Sequence, residues 1–150
     1  MPTELVMLDT NVLVYSLYYE DAPQHPAAFD LLEQAQTEGS LFCASPQVLA
    51  EFYSVITNAR RVSSPFTPNE ALQELDNIRA LPGMTVLPVP LDLVDRWAEL
   101  VRRYPVTGRK VFDVQLVARM LGNGVKKMYT FNVTDFKPFP EIEVLFPEVP

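Results

Sequence analysis

The sequence LVMLDTN at residues 5–11 decides the fold of this chain. Its four leading apolar residues predict a short buried β-strand over residues 4–8, and a helix is expected to follow at once over residues 11–18. Asp9 stands at the junction, at the carboxyl end of the predicted strand. An ionised carboxylate beside a core segment is costly unless it is paired or binds a metal. This stretch therefore combines a core strand with a candidate site residue.

Short strand-like segments alternate with helical segments along the rest of the chain. Further strands are predicted over residues 41–44, 85–89, 127–131 and 142–146. Helices are predicted over residues 26–38, from 46 to about 60, from 67 to about 81, 91–104 and 111–121. Strands separated by helices imply crossover connections and a parallel sheet. The length of 150 residues suits one α/β domain over residues 1–150.

Two helix starts carry strong local signals. Ser45 before Pro46 is a favourable N-cap followed by a first-turn proline. Thr67 and Glu70 have the spacing of a capping box. In the helix over residues 91–104, we expect one apolar face made of Val94, Trp97, Val101 and Tyr104.

Three acidic residues lie within apolar segments. Asp9 follows the first strand, Glu51 lies in VLAEF at residues 48–52, and Asp113 lies in VFDV at residues 111–114. On their helices, Glu51 and Asp113 share the apolar face or border it. No lysine or arginine precedes Arg60, so a shared divalent cation is the simplest compensation for Asp9 and Glu51.

Each acid also has a plain structural explanation. Asp9 is a good helix N-cap residue. Glu51 can extend into solvent from the edge of its helix, and Asp113 suits the first turn of a helix because of the helix dipole. The coincidence of all three at core-proximal positions favours a site.

The composition is that of a soluble globular protein with a net charge of −7, which argues against coating nucleic acid by bulk electrostatics. No apolar run approaches the roughly 20 residues of a membrane span, and the first four residues lack a basic signal region. One Cys forbids an internal disulfide, so we expect a cytoplasmic protein. One Cys and one His exclude a zinc site of thiolates or imidazoles. A Cys43–His25 catalytic pair is disfavoured, because Cys43 lies in a strand-like run.

Four ordered segments resemble the PIN-domain family of metal-dependent ribonucleases, and within it the VapC-type toxins. The segments are LDTNVL at residues 8–13, SPQVLAEF at 45–52, FDVQLVA at 112–118 and TFNVTDF at 130–136. The resemblance implies a three-layer α/β/α sandwich around a central parallel sheet. It also implies a metal-dependent endoribonuclease that is the toxin component of a type II toxin–antitoxin system.

The resemblance assigns metal-binding and catalytic roles to Asp9, Glu51 and Asp113. At the family's fourth acidic position this chain has Asn132, with Asp135 one helical turn later as the alternative; we favour Asn132. The carboxylate and amide oxygens of such a set suit Mg²⁺ or Mn²⁺. Supporting roles are expected for Thr10, Asn11 and Thr134.

The expected partners are an RNA substrate, an antitoxin protein and a second copy of the chain. Arg109 and Lys110 lie just before Asp113 and are candidates to bind the RNA backbone, although they can equally solvate a turn. Phe66, Leu72 and Leu75 lie near breaks in the pattern, so we expect them to form an exposed apolar interface.

Two other functions remain open at this stage. A phosphatase or phosphotransferase with an Asp nucleophile also places Asp after a first strand, but it generally requires a second Asp where this chain has Asn11. A non-catalytic module with a structural cation would have the same acids.

Overall fold

A computed structural model describes residues 4–17 and 22–149, and within these ranges five short strands form one sheet. The strands are β1 (Val6–Leu8), β2 (Phe42–Ala44), β3 (Thr85–Val86), β4 (Lys127–Tyr129) and β5 (Glu143–Leu145). Neighbouring strands are parallel, and their order across the sheet is β3-β2-β1-β4-β5. The central strand is β1, in which Met7 and Leu8 are fully buried. The prediction of a parallel α/β sheet built on this strand is confirmed.

Seven α-helices lie within the described residues and cover the sheet. They are α1 (Thr10–Leu17), α2 (His25–Thr37), α3 (Pro46–Ile56), α4 (Pro68–Arg79), α5 (Leu93–Arg103), α6 (Val111–Gly122) and α7 (Val133–Phe136). The chain moves from β1 to β3 in one direction and returns to β4 and β5 in the other. Right-handed crossovers therefore place α1 to α4 on one face and α5 to α7 on the other. Packing of α1 on α2 and α3, and of α5 on α6, completes the predicted three-layer sandwich.

Both predicted helix starts are present. The Ser45 Oγ accepts a hydrogen bond of 3.0 Å from the Val48 N–H at the start of α3. At the start of α4, the Glu70 N–H donates to the Thr67 Oγ1 at 3.3 Å, and the Thr67 N–H donates to the Glu70 Oε1 at 2.9 Å. These local signals are read correctly from sequence because each interaction spans only three residues.

Several predicted elements end earlier in the structure, and two of them have a clear local cause. Strand β3 stops at Val86 rather than at residue 89, because Pro88 and Pro90 cannot donate hydrogen bonds to a neighbouring strand. Helix α3 stops at Ile56 rather than near residue 60, since the Asn58 side chain accepts a hydrogen bond of 2.9 Å from the Arg60 N–H and forms a turn. The predicted end of the first helix, Tyr18, lies outside the described residues, as do residues 1–3.

The predicted apolar face of α5 is wrong at one position. Val94 is 63% exposed, whereas Leu93 and Leu100 are buried and Trp97 packs against the core. Leu93, Trp97 and Leu100 follow the i, i+4, i+7 spacing of a helix face, and Val94 is rotated about 100° from Leu93. The short helix α7 was not predicted, because four residues are too few to show the repeat of apolar side chains that marks a helix. Within the described ranges, no helix has the length and apolar character needed to cross a membrane.

We expect Ser45→Ala to lower the free energy of unfolding by about 1 kcal/mol, because the Val48 N–H loses its acceptor. Urea unfolding with an unchanged slope measures this loss. The matched control is Ser54→Ala, which removes the same hydroxyl from the exposed body of α3 and should change stability by about 0.5 kcal/mol or less. Equal losses from the two variants would show that the cap does not stabilise α3.

Candidate active site

The candidate site lies at the carboxyl ends of β1 and β4, which are neighbours in the sheet. Asp9 directly follows β1 and its N–H donates a hydrogen bond of 3.0 Å to the Tyr129 carbonyl of β4. The connections after these two strands leave toward opposite faces of the sheet. This is a topological switch point, the place where open parallel sheets form ligand sites.

Three donors hold the side chain of Asp9. Its Oδ1 accepts from the Thr10 N–H at 2.8 Å, and its Oδ2 accepts from the Thr130 Oγ1 at 2.8 Å and from the Asn11 Nδ2 at 3.3 Å. An N-cap side chain normally accepts from the second or third N–H of its helix, whereas Thr10 is the first residue of α1. Asp9 therefore lacks the usual N-cap hydrogen bond, and its carboxylate is held by the start of α1 and by Thr130, the residue after β4.

Asn11 and Thr130 join the start of α1 to the segment that follows β4. The Asn11 amide donates to the Thr130 Oγ1 at 3.2 Å, and its Oδ1 accepts from the Phe131 N–H at 3.1 Å. Thr130 is fully buried, and its Oγ1 also accepts from the Asn132 N–H at 3.0 Å. Sequence reasoning missed Thr130 as a site residue. Its place at the end of a strand, just before Asn132, was the available signal.

Glu51 reaches the site from α3. Its Oε2 accepts a hydrogen bond of 3.0 Å from the Thr10 Oγ1, and its Oε1 accepts one of 3.1 Å from the Gln47 Nε2. The residue is exposed, so it borders the apolar face of α3 and is not part of it. Thr10 therefore links the two carboxylates, because its N–H binds Asp9 and its hydroxyl binds Glu51. Gln47, one helical turn before Glu51, was also missed from sequence.

Asp113 lies in the first turn of α6, as the helix-dipole alternative expected, and it also faces the other acids. Partial burial raises its pKa from the ordinary 3.8 to about 6, and the negative charges of Asp135, Asp9 and Glu51 add to this rise. The charge of Lys110 acts in the opposite direction on this pKa. Asp113 therefore sits in a shared negative field with Lys110 nearby.

The pKa of Asp9 is also raised, chiefly by burial. The hydrogen bonds from Thr130 and Thr10 lower it, while the charges of Glu51 and Asp135 raise it. Four acids thus influence one another electrostatically, and Asp135 acts on both Asp9 and Asp113.

The predicted site residues near α7 differ in whether their side chains act on the acids. Asp135 is exposed, and its charge reaches the site. Asn132 and Thr134 are exposed as well, and none of the hydrogen bonds in the described part of the chain joins either side chain to the four acids. Asn132 contacts the site through its backbone: its N–H donates to the Thr130 Oγ1, and its carbonyl oxygen accepts from the Asp135 N–H at 3.1 Å. Arg109 and Lys110 are exposed in the single 3-10 turn Gly108–Lys110 that leads into α6.

The donor set fits a hard divalent cation by its chemistry. All four candidate side chains offer carboxylate oxygens, which suit Mg²⁺ or Mn²⁺. Among the ion pairs of residues 4–17 and 22–149, none involves these four acids, so Lys110 acts on Asp113 without forming an ion pair with it. Over the same residues, no three acidic, His or Cys side chains are close enough to enclose an ion. The acids are therefore neighbours without being a preformed cage.

Residues 6–139 match the PIN domain family, and the chain belongs to this family. Among its relatives, ribonuclease VapC24 of Mycobacterium tuberculosis is 25% identical over 135 residues, which cover 90% of this chain and 91% of the relative. The VapC ribonuclease Mb2897 of Mycobacterium bovis is 29% identical over 119 residues, covering 79% and 80% of the two chains.

Solved structures share the fold. VapBC2 from Rickettsia felis, bound to a DNA fragment from its promoter, superposes with a TM-score of 0.65 at 19% identity, covering 96% of this chain and 99% of that one. Mycobacterium tuberculosis VapC20, a toxin that cleaves the sarcin-ricin loop, superposes with a TM-score of 0.59 at 17% identity, covering 87% and 92%. At these identities the likeness shows the fold alone.

In buffer with EDTA, we expect Asp113→Asn to stabilise the protein. The folded state binds the Asp113 proton more tightly than the unfolded state, because the folded pKa of about 6 exceeds the ordinary 3.8. The free energy of unfolding therefore falls as pH rises from 3.8 through 6, and the cost is complete above pH 6. Allowing for partial exposure, the variant should gain about 1 kcal/mol at pH 7.5, which is a rise of about 2–4 °C in Tm.

Thermal unfolding at pH 4.0 and pH 7.5 measures this effect. The matched control is Asp76→Asn, because Asp76 is exposed on α4 and is not among the charges that act on Asp113. The gain should be smaller at pH 4.0, where wild-type Asp113 is protonated in the folded state. A destabilised Asp113→Asn protein at pH 7.5 would contradict the proposed electrostatic strain.

Proposed function

We propose that this protein is a metal-dependent endoribonuclease and the toxin component of a type II toxin–antitoxin system. The observation that supports it most is the grouping of Asp9, Glu51, Asp113 and Asp135 at the switch point of a PIN fold, without ion-pair partners in the described residues. Two relatives that are named VapC ribonucleases align with this chain over most of their length, at 25% and 29% identity.

We propose that Asp9 and Asp113 hold the metal directly and that Glu51 holds it directly or through water. When bound, Mg²⁺ or Mn²⁺ activates a water molecule and neutralises charge that develops on the phosphate. The chain's own contribution is to orient these oxygens. Thr10, Asn11 and Thr130 fix both oxygens of Asp9, so the carboxylate is positioned before any ligand arrives.

Glu51 is suited to accept a proton during hydrolysis. It is exposed to solvent, and each of its oxygens accepts one hydrogen bond, from Thr10 and from Gln47. These contacts hold the carboxylate beside Asp9 while lone pairs remain available on both oxygens. Lys110, whose charge already acts on Asp113, is placed to bind an RNA phosphate, and Arg109 precedes it in the same turn.

We now favour Asp135 over Asn132 as the fourth acidic position. The charge of Asp135 raises the pKa of both Asp9 and Asp113, so its carboxylate lies within their field. Asn132 contributes a backbone N–H to Thr130 and directly precedes α7, with no cap hydrogen bond from its side chain. We therefore assign Asn132 a structural role and leave the ligand role to Asp135.

The Asp-nucleophile alternative loses support at Asn11. Its amide donates to Asp9 and Thr130, and its carbonyl oxygen accepts from the Phe131 N–H. A side chain that uses both ends to brace the site has no free group for the acid–base role at that position. A structural cation remains the second candidate, and RNA cleavage separates it from the ribonuclease.

An antitoxin and a second copy of the chain are the proposed protein partners, and solved relatives include VapBC and other toxin–antitoxin complexes. The predicted apolar interface is wrong in part, because Phe66 and Leu75 pack against the core and only Leu72, 49% exposed, stands out. A better candidate for the contact between copies lies beside the edge strand β3. It comprises the exposed apolar residues Val86, Val89, Leu91 and Val94.

Asp9→Asn should abolish cleavage of labelled RNA in Mn²⁺, a loss of at least about 100-fold, because the shape is kept and one negative charge is removed from the metal site. Gel analysis with Mg²⁺, Mn²⁺ or EDTA measures the activity. Asp76→Asn, the exposed control on α4, should cleave like the wild type. Undiminished cleavage by Asp9→Asn would refute the site, and a wild type that binds Mn²⁺ but cleaves no RNA would favour the structural cation.

Asp135→Asn should weaken Mn²⁺ binding in calorimetry and lower cleavage about tenfold or more, because affinity for divalent cations depends on the charge of the ligand set. Asn132→Ala should change metal affinity less than about twofold, since the backbone N–H that contacts Thr130 is retained. The reverse order of effects would restore Asn132 as the fourth ligand. Negligible effects from both would mean that Asp9, Glu51 and Asp113 suffice.

A further inference from the structure

Three aromatic rings form a continuous row at the carboxyl edge of the sheet. Tyr15 of α1 packs edge-to-face on Phe131, with ring centroids 5.5 Å apart and planes at 87°. Phe131 packs edge-to-face on Phe146, with centroids 5.3 Å apart and planes at 89°. Phe131 follows β4 and Phe146 follows β5, so both stand at the sheet edge that carries the acids. We call these three residues the aromatic row.

The aromatic row is fixed to the acidic site through its middle member. The Phe131 N–H donates to the Asn11 Oδ1 at 3.1 Å, and the same Asn11 side chain donates to Asp9. Phe131 is also the next residue after Thr130, whose hydroxyl binds Asp9 at 2.8 Å. The distance from the row to the proposed catalytic carboxylate is therefore set by a short chain of hydrogen bonds.

The outer end of the aromatic row is open to solvent. Phe146 is 53% exposed, whereas Tyr15 and Phe131 are partly buried and pack against the core. Because Phe146 is exposed, its ring contributes little hydrophobic stabilisation. Its contact with Phe131 fixes the orientation of the ring. The two inner rings thus support an outer ring that remains available to a ligand.

Resting on the proposed ribonuclease function, we propose that the aromatic row is a stacking site for an unpaired base next to the scissile phosphate. Unstacked bases of RNA loops and single strands bind to aromatic side chains, and each such contact tolerates any base. In an A-form duplex the bases stack on one another and their faces are not accessible. The row therefore selects single-stranded or looped RNA over duplex RNA without reading its sequence.

Binding to wild-type protein in EDTA tests this proposal without requiring cleavage. Fluorescence anisotropy with a labelled single-stranded RNA should show about tenfold weaker binding by Phe146→Ala. Phe146→Tyr keeps a ring face and should bind like the wild type. Phe29→Ala is the matched control, because Phe29 is 47% exposed but lies on α2 outside the row. A fully paired duplex of the same sequence should bind more weakly to the wild type and show no loss with Phe146→Ala.

A second probe keeps the test independent of any effect on packing. A single-stranded RNA carrying one 2-aminopurine should lose fluorescence when bound to the wild type and recover it with Phe146→Ala, since stacking quenches that base. Equal affinity of Phe146→Ala and wild type for single-stranded RNA would overturn the proposal. So would a loss confined to binding of an antitoxin, which would assign the row to a protein partner. An absence of RNA cleavage in Mn²⁺ would instead refute the ribonuclease and leave the binding result to stand by itself.

Discussion

The structure depends on holding one carboxylate, that of Asp9, at the end of the central strand without a cationic partner. Burial raises the pKa of this group, and hydrogen bonds from Thr130 and Thr10 oppose that rise. Thr10, Asn11 and Thr130 direct their polar groups at its two oxygens. Because these donors come from the start of α1 and from the residue after β4, the same bonds that orient Asp9 also join the segments that follow β1 and β4.

The acidic cluster trades stability for a potential binding site. Asp9 and Asp113 would be easier to accommodate without the neighbouring acids, because the charges of Glu51 and Asp135 raise the pKa of both. Natural proteins tolerate such strain at functional sites and recover stability elsewhere. Here the compensation comes from a central strand whose Met7 and Leu8 are fully buried, from capped helices α3 and α4, and from a core that continues across both faces of the sheet.

The parts of this molecule that follow from local sequence were predictable. The strand ending at Leu8 and the cap at Ser45 depend on residues a few positions apart, and both are present. Errors arose where tertiary contacts decide the outcome. Val94 fits a helical stripe as well as Leu93 does until the core shows which face is covered. Thr130 belongs to the site through Asp9, 121 positions earlier, and sequence spacing does not indicate such a partner. Gln47 was missed although it lies one helical turn before Glu51, a spacing at which helix side chains meet.

The pairing of β1 with β4 sets the order in which the molecule can mature. Asp9 and its donor Thr130 are 121 positions apart, so the carboxylate leaves the ribosome long before the residue that supports it. Contacts of such separation form late and slow the folding of a chain. Until β4 is synthesised, β1 lacks one of its two neighbours and the charge of Asp9 is unsupported. The hydrogen bonds that orient Asp9 are therefore complete only after Thr130, 121 positions later, has been added to the chain.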